Sequence, residues 1–195
     1  ANAATTGSYN FIFGKNGAVS LTSGNCNIVL GGYSGGACLS TGAKNILLGD
    51  RVASNGGAAL TGNSNVILGA KAGCKLTTGN HNIALGEYSI GDNVVTGNCN
   101  VAIGFAAGKK ITSGTNNVFL GNSAACCATT AGLNIAIGFE AGKESLKTGF
   151  RNILIGRSVE APITTGTDQE QSDQLVIGCQ GTNWIVGTKQ MNVGI

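Results

Sequence analysis

The sequence predicts an all-β protein, a parallel β-solenoid with coils of 17 to 18 residues. A phrase of Gly, a short polar gap, Asn, three apolar residues and Gly recurs along the chain. Its Asn recurs at steps of 17, 18, 20, 17, 18, 17, 17 and 18 residues, a spacing typical of a stacked repeat. The chain also has 33 glycines and only 11% charged residues. We therefore expect the glycines to lie at the recurring corners of the coils and the apolar residues to form the core.

The recurring Asn predicts a structural ladder along the stack. Asn tolerates the left-handed backbone of a turn, and its amide can hydrogen-bond the Asn of the next coil. Nine stacked asparagines are better explained by a ladder than by a ligand site. The predicted ladder residues are Asn10, Asn27, Asn45, Asn65, Asn82, Asn100, Asn117, Asn134 and Asn152.

Each coil is predicted to contain two short strands, because both of its apolar segments are too short for helices and end at glycine. The first strand is the triplet that follows the Asn. The second precedes the next Gly and is marked by one apolar residue per coil. These residues are Leu21, Leu39, Leu60, Leu76, Val95, Ile111 and Leu146.

Alternation along the triplet predicts which side chains lie inside. We expect the first and third residues, such as Val101 and Ile103, to fill the interior. The middle residues then form an outward apolar stripe, which marks an interface. Since no segment is left over to cover it, we expect another subunit to cover it. The predicted interface residues are Ile12, Val29, Leu47, Ile67, Ala84, Ala102, Phe119, Ala136, Leu154 and Val176.

The regular spacing of the repeat ends after Gly156, which divides the chain into two parts. Residues 1–156 are predicted to form about nine solenoid coils, and residues 157–195 to form irregular final coils that lead to a C-terminal region absent from this sequence. The single proline, Pro162, and an acidic-amide run lengthen the next step, after which the phrase returns at Gln174–Gly178.

Composition and motif spacing argue against several functions. The formal charge of +3 is spread over the repeats without the basic stripe that nucleic-acid binding requires. No apolar run of 18 residues exists, so we expect no membrane insertion. The carboxylates form no recurring pair, and the single histidine, His81, has no acid or serine in a fixed relation to it. We therefore predict no enzyme, no catalytic residue and no cofactor.

The seven cysteines follow no regular spacing. Cys26 and Cys99 occupy the same place in the repeat, but four coils of about 4.8 Å separate them, too far for a disulfide. Vicinal Cys126 and Cys127 lack the spacing and the histidines of a zinc site, so no metal is predicted. We expect most cysteines to be small buried apolar residues, with interchain pairing or metal binding as alternatives.

The repeats resemble those of bacteriophage tail fibres and of the YadA-like head domains of trimeric autotransporter adhesins. The resemblance covers about residues 5–156 and is carried by segments such as NVAIGFAAG at 100–108. The segment 173–187 is similar to one that precedes a self-cleaving chaperone domain in some viral fibres. The resemblance implies a left-handed parallel β-roll, three chains around one axis and an attachment or structural role on a virion or at a cell surface.

These observations predict a structural or adhesive fibre segment, a trimeric viral tail-fibre or receptor-attachment shaft. Its expected partners are two further copies of itself and a cell-surface receptor or glycan, with three weak sites gaining avidity by being linked. Receptor contacts are expected on the corner loops Gly31–Cys38, Asp50–Ala59, Glu87–Val94, Asn122–Thr130 and Arg157–Gln171.

Two alternatives keep the solenoid but change its role. One is a subunit of an extracellular filament or sheath that stacks end to end. The other is an ice-binding solenoid, whose water-ordering surface would be a column of hydroxyl side chains. That column is Ser23, Thr41, Thr61, Thr78, Thr96, Ser113 and Thr148.

Overall fold

The computed structural model describes residues 6–33, 35–54, 58–162, 172–187 and 193–194. These ranges hold one twelve-stranded sheet whose strands follow chain order, and they contain no helix. The strands are β1 (Phe11–Lys15), β2 (Ile28–Tyr33), β3 (Ile46–Leu48), β4 (Val66–Leu68), β5 (Ile83–Leu85), β6 (Val101–Ile103), β7 (Val118–Leu120), β8 (Ile135–Ile137), β9 (Ile153–Ile155), β10 (Leu175–Cys179), β11 (Thr182–Gly187) and β12 (Val193–Gly194). Strands β1 to β10 pair in parallel, each with the next, so the predicted all-β parallel solenoid is confirmed.

The apolar triplets form the strands, one per coil. Their aliphatic residues suit a pleated surface, and Asn and Gly delimit them on either side. Neighbouring triplets align residue for residue, as in Val101 opposite Val118. The predicted second strand is not formed: this part of the coil makes only single-residue bridges, such as Leu39 to Leu60. Glycine follows within three residues, which leaves no length for a ladder.

The direction of the triplet side chains is the reverse of the predicted one. The middle residues Val29, Leu47, Ile67, Ala84, Ala102, Phe119, Ala136, Leu154 and Val176 are fully buried within the single chain. Side chains buried in this way cannot form the predicted subunit interface. Ile12, in the first strand, is the exception at 38% exposure. The first and third residues of each triplet lie outside instead.

The interior is narrow, and it is packed from both sides of the coil. The apolar residues of the second segment face the middle column and are all buried: Leu21, Leu39, Leu60, Leu76, Val95, Ile111 and Leu146. Large and small side chains complement each other along the stack, since the large Phe119 aligns with Ala102 on one side and Ala136 on the other. Gly108 also leaves it room, because a Cβ there would lie 2.9 Å from Phe119 Cδ2. The core therefore holds about one triplet side chain per coil.

The corners use left-handed backbone. We expected the ladder asparagines to adopt it, but they do not. The residue immediately before each ladder position has φ between 57° and 60°: Tyr9, Cys26, Lys44, Ser64, His81, Cys99, Asn116, Leu133, Arg151 and Asp173. The glycine after the triplet has a larger positive φ, 136° at Gly104. A Cβ on Gly104 would lie 2.6 Å from the carbonyl carbon of Gly121, so adjacent coils approach too closely there for a side chain.

The sheet changes direction at its C-terminal end. Strand β10 continues the parallel stack beside β9, whereas β11 pairs antiparallel with β10, and β12 pairs antiparallel with β11. The free edge of β10 is thus covered by the chain itself. The acidic-amide run that precedes β10 lies mostly outside the described residues.

Candidate functional site

The predicted asparagine ladder is confirmed, and it is buried. From Asn27 to Asn152, each ladder Asn donates from its backbone N and from Nδ2 to Oδ1 of the Asn one coil earlier, with Nδ2–Oδ1 distances of 2.9–3.2 Å. From Asn27 to Asn134, Nδ2 also donates to a carbonyl of the next coil at 2.8–3.0 Å. These donors and acceptors satisfy one another, so the ladder has a structural role.

A second, more exposed asparagine ladder was not predicted. The backbone N and Nδ2 of Asn63 donate to Oδ1 of Asn80, and the same groups of Asn80 donate to Oδ1 of Asn98. These bonds point toward the later coil, opposite to the buried ladder. The recurring Gly-Asn-x-Asn spacing carries the signal, because the first Asn of that pattern occupies this corner.

The hydroxyl side chains divide into two neighbouring columns. In the predicted column, Ser23, Thr41, Thr78, Thr96 and Ser113 are exposed, whereas Thr61 and Thr148 are half-buried. A column one residue earlier donates hydroxyl hydrogen bonds to carbonyls of the next coil and was not predicted. Its members are Thr22, Ser40, Thr77, Thr112 and Thr129.

The outward side of the parallel strands is apolar throughout; we call it the outer face. Its first column contains Phe11, Ile28, Ile46, Val66, Ile83, Val101, Val118, Ile135, Ile153 and Leu175. Its second column contains Phe13, Leu30, Leu48, Leu68, Leu85, Ile103, Leu120, Ile137, Ile155 and Ile177. All twenty side chains are half-buried or exposed, and none is charged. None of the residues that the structure describes covers this face.

Aromatic and basic side chains meet at the Glu87–Val94 corner. Lys71 Nζ lies 2.5 Å from the Tyr88 hydroxyl and 4.7 Å from the centre of its ring, and this hydrogen bond raises the pKa of Lys71. Lys109 Nζ lies 5.2 Å from the same ring and 3.2 Å from Asp92 Oδ2. The Phe105 ring meets Tyr88 edge-on, with 6.1 Å between centroids. Among the predicted receptor loops, this corner is described completely. Residues 34, 55–57 and 163–171 of three others lie outside the description.

All seven cysteines are free thiols, and they are less buried than expected. Only Cys74 is buried; Cys26 and Cys99 are exposed, and the others are half-buried. Burial raises the pKa of Cys74. Burial, followed by the neighbouring Cys127 thiol, raises the pKa of Cys126 to about 12. In the described ranges, no three His, Cys, Asp or Glu side chains cluster as a metal site would require.

A cleft of about 480 Å³ opens between the last coil and β11. Its two carboxylates already have partners. Glu140 Oε1 lies 2.8 Å from Lys143 Nζ, and Glu160 accepts hydrogen bonds from the backbone and hydroxyl of Ser145. The cleft therefore offers no pair of carboxylates poised for general acid and base chemistry.

Comparisons with protein-family models, curated proteins and solved structures give no significant match. Within the described part of the chain, no helix has the length and apolarity needed to cross a bilayer.

Proposed function

We propose that this chain is a structural and adhesive segment of an extracellular fibre, the shaft or receptor-attachment part of a viral tail fibre. Three copies associate around one axis, and their corner loops bind a cell-surface receptor or glycan. The observation that carries the proposal is the uninterrupted stack: ten parallel strands are joined by one buried ladder. At about 4.8 Å per strand, the stack extends roughly 45 Å.

The ladder supports a mechanical role because it links every coil to both neighbours. Bending the stack would separate buried amide groups from their partners, and an unsatisfied buried polar group costs about 1–3 kcal/mol. The Glu87–Val94 corner supports the adhesive role, since a half-buried aromatic ring beside cations can present its open part to a sugar ring, and the cations can bind an anionic group.

The proposal is tested by shape, mass and binding together. Electron microscopy should show a straight rod, sedimentation should give the mass of three chains, and labelled protein should bind the surface of a susceptible cell. Tyr88→Ala should weaken binding without changing mass, whereas Tyr9→Ala, at an exposed tyrosine outside this corner, should not. A compact particle, or equal binding by both variants, would contradict the proposal.

The alternatives predict different outcomes in the same samples. A filament subunit would grow end to end, but the antiparallel β11 occupies the edge of β10 that such growth would use. An ice-binding solenoid would use the exposed hydroxyl column and would produce thermal hysteresis. Neither polymer growth nor hysteresis is expected of the proposed fibre segment.

A further inference from the structure

The outer face is large enough to form a stable interface. Seven of its twenty side chains are at least 36% exposed, with Phe13 the most exposed at 72%, and the other thirteen are half-buried. Together the twenty side chains present on the order of 1,000 Å² per chain, shared between two neighbours in a cyclic trimer, whereas each partner of a standard two-protein complex buries about 800 Å². A typical monomer leaves an apolar patch of only about 300–600 Å² uncovered.

The regularity of the face restricts what can cover it. Both columns repeat at the strand spacing of about 4.8 Å, and they stand about 6.6 Å apart because they lie two residues apart along each strand. The fully buried column varies in size from Ala to Phe, but eight of ten residues in the first outer column are Ile or Val. Two even ridges with a groove between them match a surface of the same repeat. Another copy of this chain provides such a surface.

Charges along the two edges indicate how copies align. One edge consists of the residues before the ladder positions, and the other of the residues that follow the triplet glycines. In the third coil, Lys44 on the first edge and Asp50 on the second are both exposed, and Asp50 Oδ2 lies 4.0 Å from Arg51 Nε of its own chain. In the fifth coil the same two positions carry an imidazole, His81, and a carboxylate, Glu87.

Cyclic symmetry about an axis parallel to the stack brings the first edge of one copy against the second edge of its neighbour at the same height. Lys44 then meets Asp50 of the neighbouring copy. In the ninth coil both edge residues are arginines, but Arg151 is already paired with Asp173 within its own chain. Parallel, in-register association therefore adds Lys44 to the existing Asp50–Arg51 ion pair and sets no unpaired like charges against each other in these three coils.

We infer that the outer face is the contact between copies of this chain, packed parallel and in register. The twenty aliphatic and aromatic side chains form the dry centre, and the two edges form its polar rim. This inference deepens the proposed function, because it assigns the surface through which the fibre's copies associate. It also moves the contact from the middle residues of the triplets to the first and third.

The test is the mass of the full chain in solution, measured by sedimentation velocity. The wild-type chain should be an oligomer, and Ile103→Lys together with Leu120→Lys should give a monomer with an unchanged β-sheet circular dichroism spectrum. The matched control, Ser113→Lys, adds a charge at an exposed position away from the outer face and should keep the wild-type mass. A monomeric wild-type chain, or a lysine double variant with the wild-type mass, would overturn the inference.

Register is tested by a disulfide, which does not depend on a destabilised variant. Phe105 lies on the second edge of the same coil in which Cys99 lies on the first edge. In the in-register arrangement, the new thiol of Phe105→Cys therefore lies beside Cys99 of the neighbouring copy. Mild oxidation should cross-link copies through these two residues. The control Phe139→Cys is made in a coil whose first-edge residue is Leu133, so it should not cross-link in this way. Cross-linking of neither variant, or of both equally, would exclude the in-register arrangement.

The outcomes separate this inference from the proposed function. A trimer that dissociates through the outer-face substitutions supports both. A dimer that does so supports the interface but contradicts the trimeric fibre. A trimer that survives the outer-face substitutions contradicts the interface alone. A monomeric rod that binds cells contradicts both the interface and the trimer and leaves only the adhesive role.

Discussion

Asn117 Nδ2 lies 2.9 Å from Asn100 Oδ1, and both side chains are fully buried. Asn100 in turn donates to Asn82 Oδ1 at 3.1 Å and to the Gly114 carbonyl at 2.8 Å. The amide therefore acts as donor and acceptor at once. An isosteric side chain that accepts but cannot donate would fail here.

We expect Asn100→Asp to destabilise the fold at neutral pH. The carboxylate would lie buried against two oxygen acceptors, so its pKa in the folded state would rise above the value in the unfolded chain. Stability should therefore be highest at low pH and should fall as pH rises through the folded pKa. Urea denaturation over a pH series measures this.

The matched control for that substitution is Asn98→Asp. Asn98 Oδ1 accepts from Asn80, while its own Nδ2 is not used in the exposed ladder. A carboxylate can replace an acceptor, so we expect a change within about 0.5 kcal/mol. An equal loss of unfolding free energy in Asn100→Asp and Asn98→Asp would contradict this explanation. It would show that neither burial nor hydrogen-bond donation by the amide makes the buried ladder more sensitive than the exposed one.

The core prediction concerns Phe119, which aligns with alanine in both neighbouring coils. Phe119→Ala should lower the free energy of unfolding by about 3–5 kcal/mol, because four successive alanines in the buried column leave a cavity that the narrow coil cannot close. Phe139→Ala removes a ring that is 46% exposed and should cost less than about 1 kcal/mol. A small loss of unfolding free energy in Phe119→Ala would contradict this prediction, because it would mean that the coil closes the cavity.

The sequence predicted the repeat, the parallel stack and the asparagine ladder, but it left ambiguous which side chains of the triplets point inward. All three positions are apolar in nearly every coil, so alternation alone separates two sets without saying which is inside. The ladder could have decided it: Asn100 is buried, and Ala102, two residues later, must point the same way. Size variation was a second signal, since the side chains range from Ala to Phe where neighbours must fit.

The sequence pattern also did not predict which corner residue adopts the left-handed backbone. Its ten occupants include Tyr, Cys, Lys, His and Leu, and these residue types do not signal positive φ. Only pairing with the neighbouring coil forces that backbone, through bonds such as Leu133 N to Thr115 O at 3.0 Å. The exposed ladder was missed for a related reason, since its asparagines occur in only some coils.

This corner gives a stabilising prediction. Leu133 has φ 59° and is 53% exposed, so its side chain contributes little packing at a strained position. The strain of a non-glycine residue there is about 1–2 kcal/mol, partly offset by the greater freedom of glycine in the unfolded chain. Leu133→Gly should therefore raise the free energy of unfolding by up to about 1 kcal/mol. Leu133→Ala keeps the Cβ and the strain, so a gain by Ala as large as that by Gly would contradict this explanation.

The glycine corner predicts the opposite result. Gly104 combines φ 136° with a close approach to Gly121, so Gly104→Ala should cost at least about 2 kcal/mol. Gly32→Ala is the control, because nothing lies within 4 Å of a Cβ built there. Thermal unfolding of the two variants should place only the first well below wild type. Similar midpoints would indicate that the coils can move apart at the corner.

Thiol reactivity should follow burial. The thiolate is the reactive form, and the pKa of Cys126, raised to about 12, keeps that thiol protonated at mildly alkaline pH. Iodoacetamide should therefore modify the exposed Cys26 and Cys99 first, and Cys74 and Cys126 last. Peptide mass spectrometry gives the order, and denatured protein, in which all seven should react alike, is the control. Early modification of Cys126 would contradict its burial.

The same shift predicts how stability depends on pH. Because the folded pKa of Cys126 lies above its ordinary value of 9.0, the unfolded chain loses the thiol proton first as pH rises. The contribution of the neutral thiol is thus complete below pH 9.0 and declines from there toward about pH 12. Cys126→Ala should make the alkaline decline shallower than in wild type when denaturation midpoints are compared across this range. An identical decline in both proteins would assign it to other groups, such as the lysines.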